Sequence, residues 1–140
     1  MSRIINTESI GKQRKQITRS IVLAIRELMV QTNITDEVKD LSAYIVIGLE
    51  KIADSIDTTV EPWEKRGYWL KADKFRLQWD WTCSLSEEMK EAILTDNWVD
   101  VAKNIAVVTE KLNNVDLPKR HNLGTPWRGA YKELRKRMSK

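Results

Sequence analysis

Between Val38 and Ile56 the apolar residues Val38, Leu41, Ile45, Leu49, Ile52 and Ile56 recur at spacings of three and four. That is the period of one helix face, not the alternation of a half-buried strand. The stretch from Tyr44 to Leu49 is rich in β-branched residues and could be read as a strand. The helical register on both sides carries the helix through it. Ile47 lies opposite the main stripe, with Tyr44 and Val46 beside it, so the middle of this helix needs more than one neighbour. Thr35 is placed to cap it, and Asp36 and Glu37 fall in the first turn, where the helix dipole favours negative charge.

The same period recurs along the chain, which has only five glycines and three prolines in 140 residues. That leaves little turn chemistry for a many-stranded sheet. The spacing predicts helices over about 8–31, 36–57, 62–94, 97–112 and 126–138, all in one domain over 1–140. The expected fold is all-α: a four-helix bundle-like domain with a short basic C-terminal helix. Helix 1 gathers Ile10, Ile17, Ile21, Ala24, Ile25 and Leu28 on one face, with Asn6 or Thr7 as its cap. Leu23 and Val30 fall outside that face and invite a second covering element, such as the C-terminal helix. Pro62 suits the first turn of the third helix, Gly67 implies close packing within it, and a break is expected near 83–86. Asp96 is the expected cap of the fourth helix, with a stripe of Trp98, Val101, Ala102, Ile105, Val108 and Leu112. Thr125 and Pro126 should open the last helix, whose face is Trp127, Ala130, Tyr131, Leu134 and Met138.

Four of the six tryptophans lie between Glu61 and Trp81, interleaved with lysine and arginine. On a helical wheel they do not form a single stripe. Trp63, Leu70, Leu77 and Trp81 gather on one side, and Tyr68, Ala72, Phe75, Trp79 and Cys83 on nearly the opposite one. Arg66, Asp73, Arg76 and Asp80 line the wider seam, where Arg76 is spaced to pair with either aspartate. A helix apolar on two opposed faces is sandwiched. Burial on both faces is the expectation, any surplus going to a protein partner or a second copy of the chain. Tyr68, Phe75 and Trp79 are the candidate contacts. Bases stacking on the tryptophans are the alternative.

Charge is unevenly spread. Residues 1–20 carry a balance of +4, residues 21–116 of −7 and residues 117–140 of +7, within a net charge of +4. An acidic body with two basic ends points to a polyanionic partner, or to ends that dock on their own middle. The candidate polyanion contacts are Lys12, Lys15, Arg19 and Arg26 near the start, and Lys119, Arg120, Arg128, Lys132, Arg135 and Lys136 near the end. No zinc-finger, RNA-recognition or KH pattern accompanies them.

Catalytic constellations are thin. His121 is the only histidine and Cys83 the only cysteine, so a di-iron Glu-x-x-His set or a zinc site lacks ligands. A Cys83–His121 nucleophile pair has no local support. No glycine-rich phosphate loop occurs. No cofactor, metal or membrane partner is expected. A lone cysteine and the lack of an apolar leader point to a cytoplasmic setting. The sequence therefore reads as a non-enzymatic helical adaptor, with a nucleic-acid-binding accessory protein as the alternative.

Overall fold

The computed structural model describes residues 7–115 and 124–138. They form six α-helices and no strand among the described residues: α1 Thr7–Met29, α2 Asp36–Lys65, α3 Trp69–Trp79, α4 Trp81–Leu94, α5 Trp98–Lys111 and α6 Ala130–Met138. The helices pack on one another as an all-α bundle, and α2 is its hub, in contact with α1, α3, α4 and α6. The apolar stripe predicted along α2 is buried, and so are Val46 and Ile47 on its other sides. Side chains as large as Leu41, Ile45 and Leu49 each contribute roughly 1.5–3 kcal/mol when fully buried, so this helix anchors the core. The Thr35 side chain accepts from the Val38 N–H at 3.3 Å, as its cap position requires.

α1 runs antiparallel to α2. Arg14 reaches Ser55 and Thr59, while further along Ile17 and Ile21 lie against Gly48. A Cβ at Gly48 would stand 2.9 Å from two atoms of Ile21, so the glycine lets these two helices approach. Leu23 is buried, but Val30 is exposed. The cap expected at Asn6 lies outside the described residues.

The segment expected as one helix over 62–94 is three pieces. α2 continues through Pro62 for two further turns beyond 57. Thr59 and Val60 are buried and Trp63 is half-buried along the continued helix, and this burial outweighs the proline's poor fit there. The end comes at Gly67, in the left-handed region at φ +79°. There the Tyr68 N–H donates to the Trp63 carbonyl at 2.8 Å and the Gly67 N–H to Glu64 at 3.0 Å. This is a Schellman termination, for which glycine is suited. Gly67 therefore stops a helix and packs against nothing: a Cβ there would meet no atom within 4 Å. The second break is at Asp80, not at 83–86. The Cys83 N–H bonds to the Asp80 carbonyl, and the Thr82 hydroxyl satisfies the Trp79 carbonyl at 2.7 Å.

Two helix starts also differ from expectation. Asn97, not Asp96, caps α5, accepting from the Asp100 N–H at 3.3 Å. Asp96 instead adopts φ +56° in a second Schellman-like end after α4, where the Asn97 N–H reaches the Ala92 carbonyl at 2.8 Å. α6 begins at Ala130, because Thr125 to Gly129 forms a turn that closes with Gly129 at φ +83°. Its cap comes from another helix. The Asp40 carboxylate on α2 accepts from the Gly129 N–H at 3.2 Å and the Tyr131 N–H at 3.0 Å. At the far end Arg137 reaches Glu50, which also meets Lys90 of α4. α6 thus lies parallel to α2, with Trp127, Ala130 and Leu134 buried as its sequence face predicted.

Candidate interaction surfaces

Gly67 turns the chain so that α3 folds back on α2, and this decides which of its two apolar sides meets the core. Ala72 is fully buried, and Phe75 and Trp79 are half-buried beside it. Phe75 meets Trp63 edge-on with ring centroids 5.5 Å apart, then Trp79 at 6.4 Å, and Trp79 stacks on Trp81 at 6.4 Å. Edge-to-face and tilted contacts of this kind suit the ring quadrupoles. Arg76 fastens the same side, donating to Asp57 and, at 3.3 Å, to Glu64. The Asp57 hydrogen bond, aided by the charge of Glu64, raises the guanidinium pKa further above its ordinary value. These partners replace the Asp73 and Asp80 pairs expected within α3, because the fold-back brings α2 carboxylates closer than helical spacing could reveal.

The opposite side of α3 is open, so burial on both faces does not hold. Tyr68 is 54% exposed, Trp69 59%, Leu70 70% and Leu77 79%. Of the three candidate protein contacts, only Tyr68 belongs to this surface; Phe75 and Trp79 belong to the intramolecular row. Leu70 and Leu77 lie, as the wheel placed them, opposite Ala72, Phe75 and Trp79, and Trp69, which belonged to neither expected face, joins them on the surface. A hollow of about 620 Å³ lies at the start of α3, lined by Gly67, Tyr68, Trp69, Leu70, Lys71 and Lys74. The Lys71 ammonium also stands 4.4 Å from the Trp63 ring centroid.

The candidate polyanion residues fall into separate groups. Lys12, Lys15, Arg19 and Arg26 are all exposed on α1. Arg128 is exposed in the turn before α6, and Lys132, Arg135 and Lys136 are exposed on that helix. The Arg135 guanidinium lies 5.7 Å from the Tyr131 ring centroid, with Lys39 at 5.4 Å from the same ring. Lys119, Arg120 and His121 lie outside the described residues. α1 and α6 each pack on α2.

Between α1 and α3 a second groove of about 500 Å³ is lined on one wall by Lys12, Arg14 and Lys15 and on the other by Phe75, Gln78 and Trp79. Arg14 gains its significance from its place on α1 opposite the fold-back of α3, which no local sequence pattern reveals. Near the start of α5 a depression of about 480 Å³ carries Glu88, Glu91 and Asp100 with Lys103. Among the described residues no group of three or more His, Cys, Asp or Glu side chains could hold a metal ion. Among the same residues no helix is long and apolar enough to cross a membrane. No family model, curated protein or solved structure matches this chain.

Proposed function

We propose that the chain is a non-enzymatic interaction protein that docks a segment of another protein on the outward side of α3. The observation that supports this reading is the exposure of Tyr68, Trp69, Leu70 and Leu77 within ten residues, on a helix anchored by its other side. Tyr68, Trp69 and Leu70 line one hollow; clustered exposed apolar residues mark interaction sites, and tryptophan and tyrosine are the residues that anchor them. The hollow beside Leu70 is bordered by Lys71 and Lys74 and by no carboxylate. A two-fold contact centred on it would set these lysines against their own copies. The complementary occupant is therefore a different chain: an amphipathic segment whose apolar side chains are flanked by Asp or Glu. A cytoplasmic setting suits the lone, exposed Cys83.

Selection from a displayed peptide library tests the reading. Enriched peptides should combine leucine or aromatic anchors with acidic flanks, and should lose binding to Leu70→Glu/Leu77→Glu. Binders that keep their affinity for that variant overturn it. So does a dimer in light scattering that the same substitutions dissociate, since that assigns the surface to a second copy. The alternative, a polyanion-binding accessory, draws its support from the exposed arrays on α1 and α6.

A further inference from the structure

Arg14 stands apart from the other arginine that ties α3 to the bundle. Arg76 meets two carboxylates, whereas Arg14 has no ion-pair partner among the described residues. Its guanidinium donates to the Thr59 hydroxyl at 3.1 Å and the Ser55 hydroxyl at 3.5 Å, both neutral. Its carbon lies 4.6 Å from the Phe75 ring centroid and 5.7 Å from that of Trp79. The side chain is half-buried, and this burial alone lowers its pKa from the ordinary arginine value. A partly desolvated cation without a carboxylate is electrostatically incomplete. Lys12 and Lys15, exposed on either side, add to the positive field at the groove rim.

The facing wall supplies a different chemistry. Phe75 and Trp79 line the groove, and the carboxamide of Gln78 is exposed between them. An inorganic anion would use the cations and make no contact that needs the aromatic wall. An acidic peptide would do the same. A ligand that carries both a phosphate and a flat ring uses both walls, since every base has a face that stacks on an aromatic side chain. The groove's volume, about 500 Å³, falls in the range of small-ligand sites.

We propose that the groove between α1 and α3 binds a phosphorylated nucleobase, as a free nucleotide or as one unit of a single strand. Lys12, Arg14 and Lys15 take the phosphate, Trp79 carries the base, and Gln78 offers hydrogen bonds to the base edge. The site lies on the inward side of α3 and stands whether or not a protein docks on the outward side. It also differs from the basic array of α6, which the test must exclude.

The experiment titrates the full-length protein with AMP, ATP and inorganic phosphate by calorimetry, and with a short fluorescein-labelled single strand of DNA or RNA by anisotropy. Nucleotide or strand should bind more tightly than phosphate. Lys12→Glu/Lys15→Glu should weaken binding by about tenfold or more, in line with the loss of two phosphate contacts, while Lys132→Glu/Lys136→Glu should leave it unchanged. For the strand, log affinity against log salt should fall with a slope of about −0.7 per phosphate contact. Trp79→Leu should weaken nucleotide by about tenfold through lost stacking but leave phosphate unchanged. Gln78→Glu, at an exposed position, gives the same direction if Trp79→Leu fails to fold. AMP binding comparable to the strand assigns a free nucleotide; binding of the strand alone assigns nucleic acid. No saturable binding of nucleotide or strand at low salt overturns the proposal. So does binding that survives Lys12→Glu/Lys15→Glu, or binding that the α6 reversal abolishes.

Discussion

At Gly48 a single hydrogen in place of a methyl group sets the distance between two helices. On an open helix surface Gly→Ala would gain about 1 kcal/mol. Here the new Cβ would fall 2.9 Å from Cδ1 and Cγ1 of Ile21. Because Ile21 is itself fully buried, it cannot swing away, and overpacking of this kind costs about 1–3 kcal/mol. Gly48→Ala is therefore expected to be net destabilising in urea unfolding. Adding Ile21→Val, which removes Cδ1, should recover part of the loss; additive losses in the double variant would contradict the packing account. The sequence marked Gly48 only as a residue inside an apolar stretch. A close approach between helices leaves no trace in one-dimensional periodicity. Arg14 escaped notice for the same reason: nothing in its neighbourhood on α1 foretells that Phe75 and Trp79 fold over it.

Among the elements, α6 shows most clearly what local pattern can and cannot reveal. Its buried face of Trp127, Ala130 and Leu134 was legible, because amphipathic spacing is a property of the segment itself. Its start was not, since the cap is the Asp40 carboxylate from a distant part of the chain. Asp40→Ala should cost about 0.5–2 kcal/mol, as lost caps do, and in hydrogen exchange the loss of protection should be largest at the first turn of α6. Uniform loss across the bundle would mean that Asp40 does something other than cap. Trp127→Ala removes a buried indole and should cost about 3–5 kcal/mol; a melting temperature equal to the parent's would mean that the helix is not docked. The 62–94 segment failed for a related reason. Periodicity runs smoothly through Gly67 and Asp80, so the wheel joined faces that the turns separate. Arg76 then finds Asp57 and Glu64 on α2. With Asp57 well exposed, Arg76→Ala should cost on the order of 1 kcal/mol, and less in high salt.

For the molecule as a whole, α2 contacts α1, α3, α4 and α6, so loss of any one docked helix exposes part of the same hub. The all-α class and the central helix were readable because the stripe from Val38 to Ile56 is long and unbroken. The side of α3 left open was not readable, because that depends on the direction in which Gly67 returns the chain. We propose a division of labour on this helix: the inward side holds the fold, and the outward side is left for a partner. Urea unfolding of Leu70→Glu/Leu77→Glu beside Phe75→Ala tests it most directly. The account predicts that the double variant stays within about 0.5 kcal/mol of the parent at each site, as exposed positions do. It predicts that Phe75→Ala loses about 2 kcal/mol or more. A double variant that loses as much stability as Phe75→Ala would show that Leu70 and Leu77 belong to the core, and would contradict the claim.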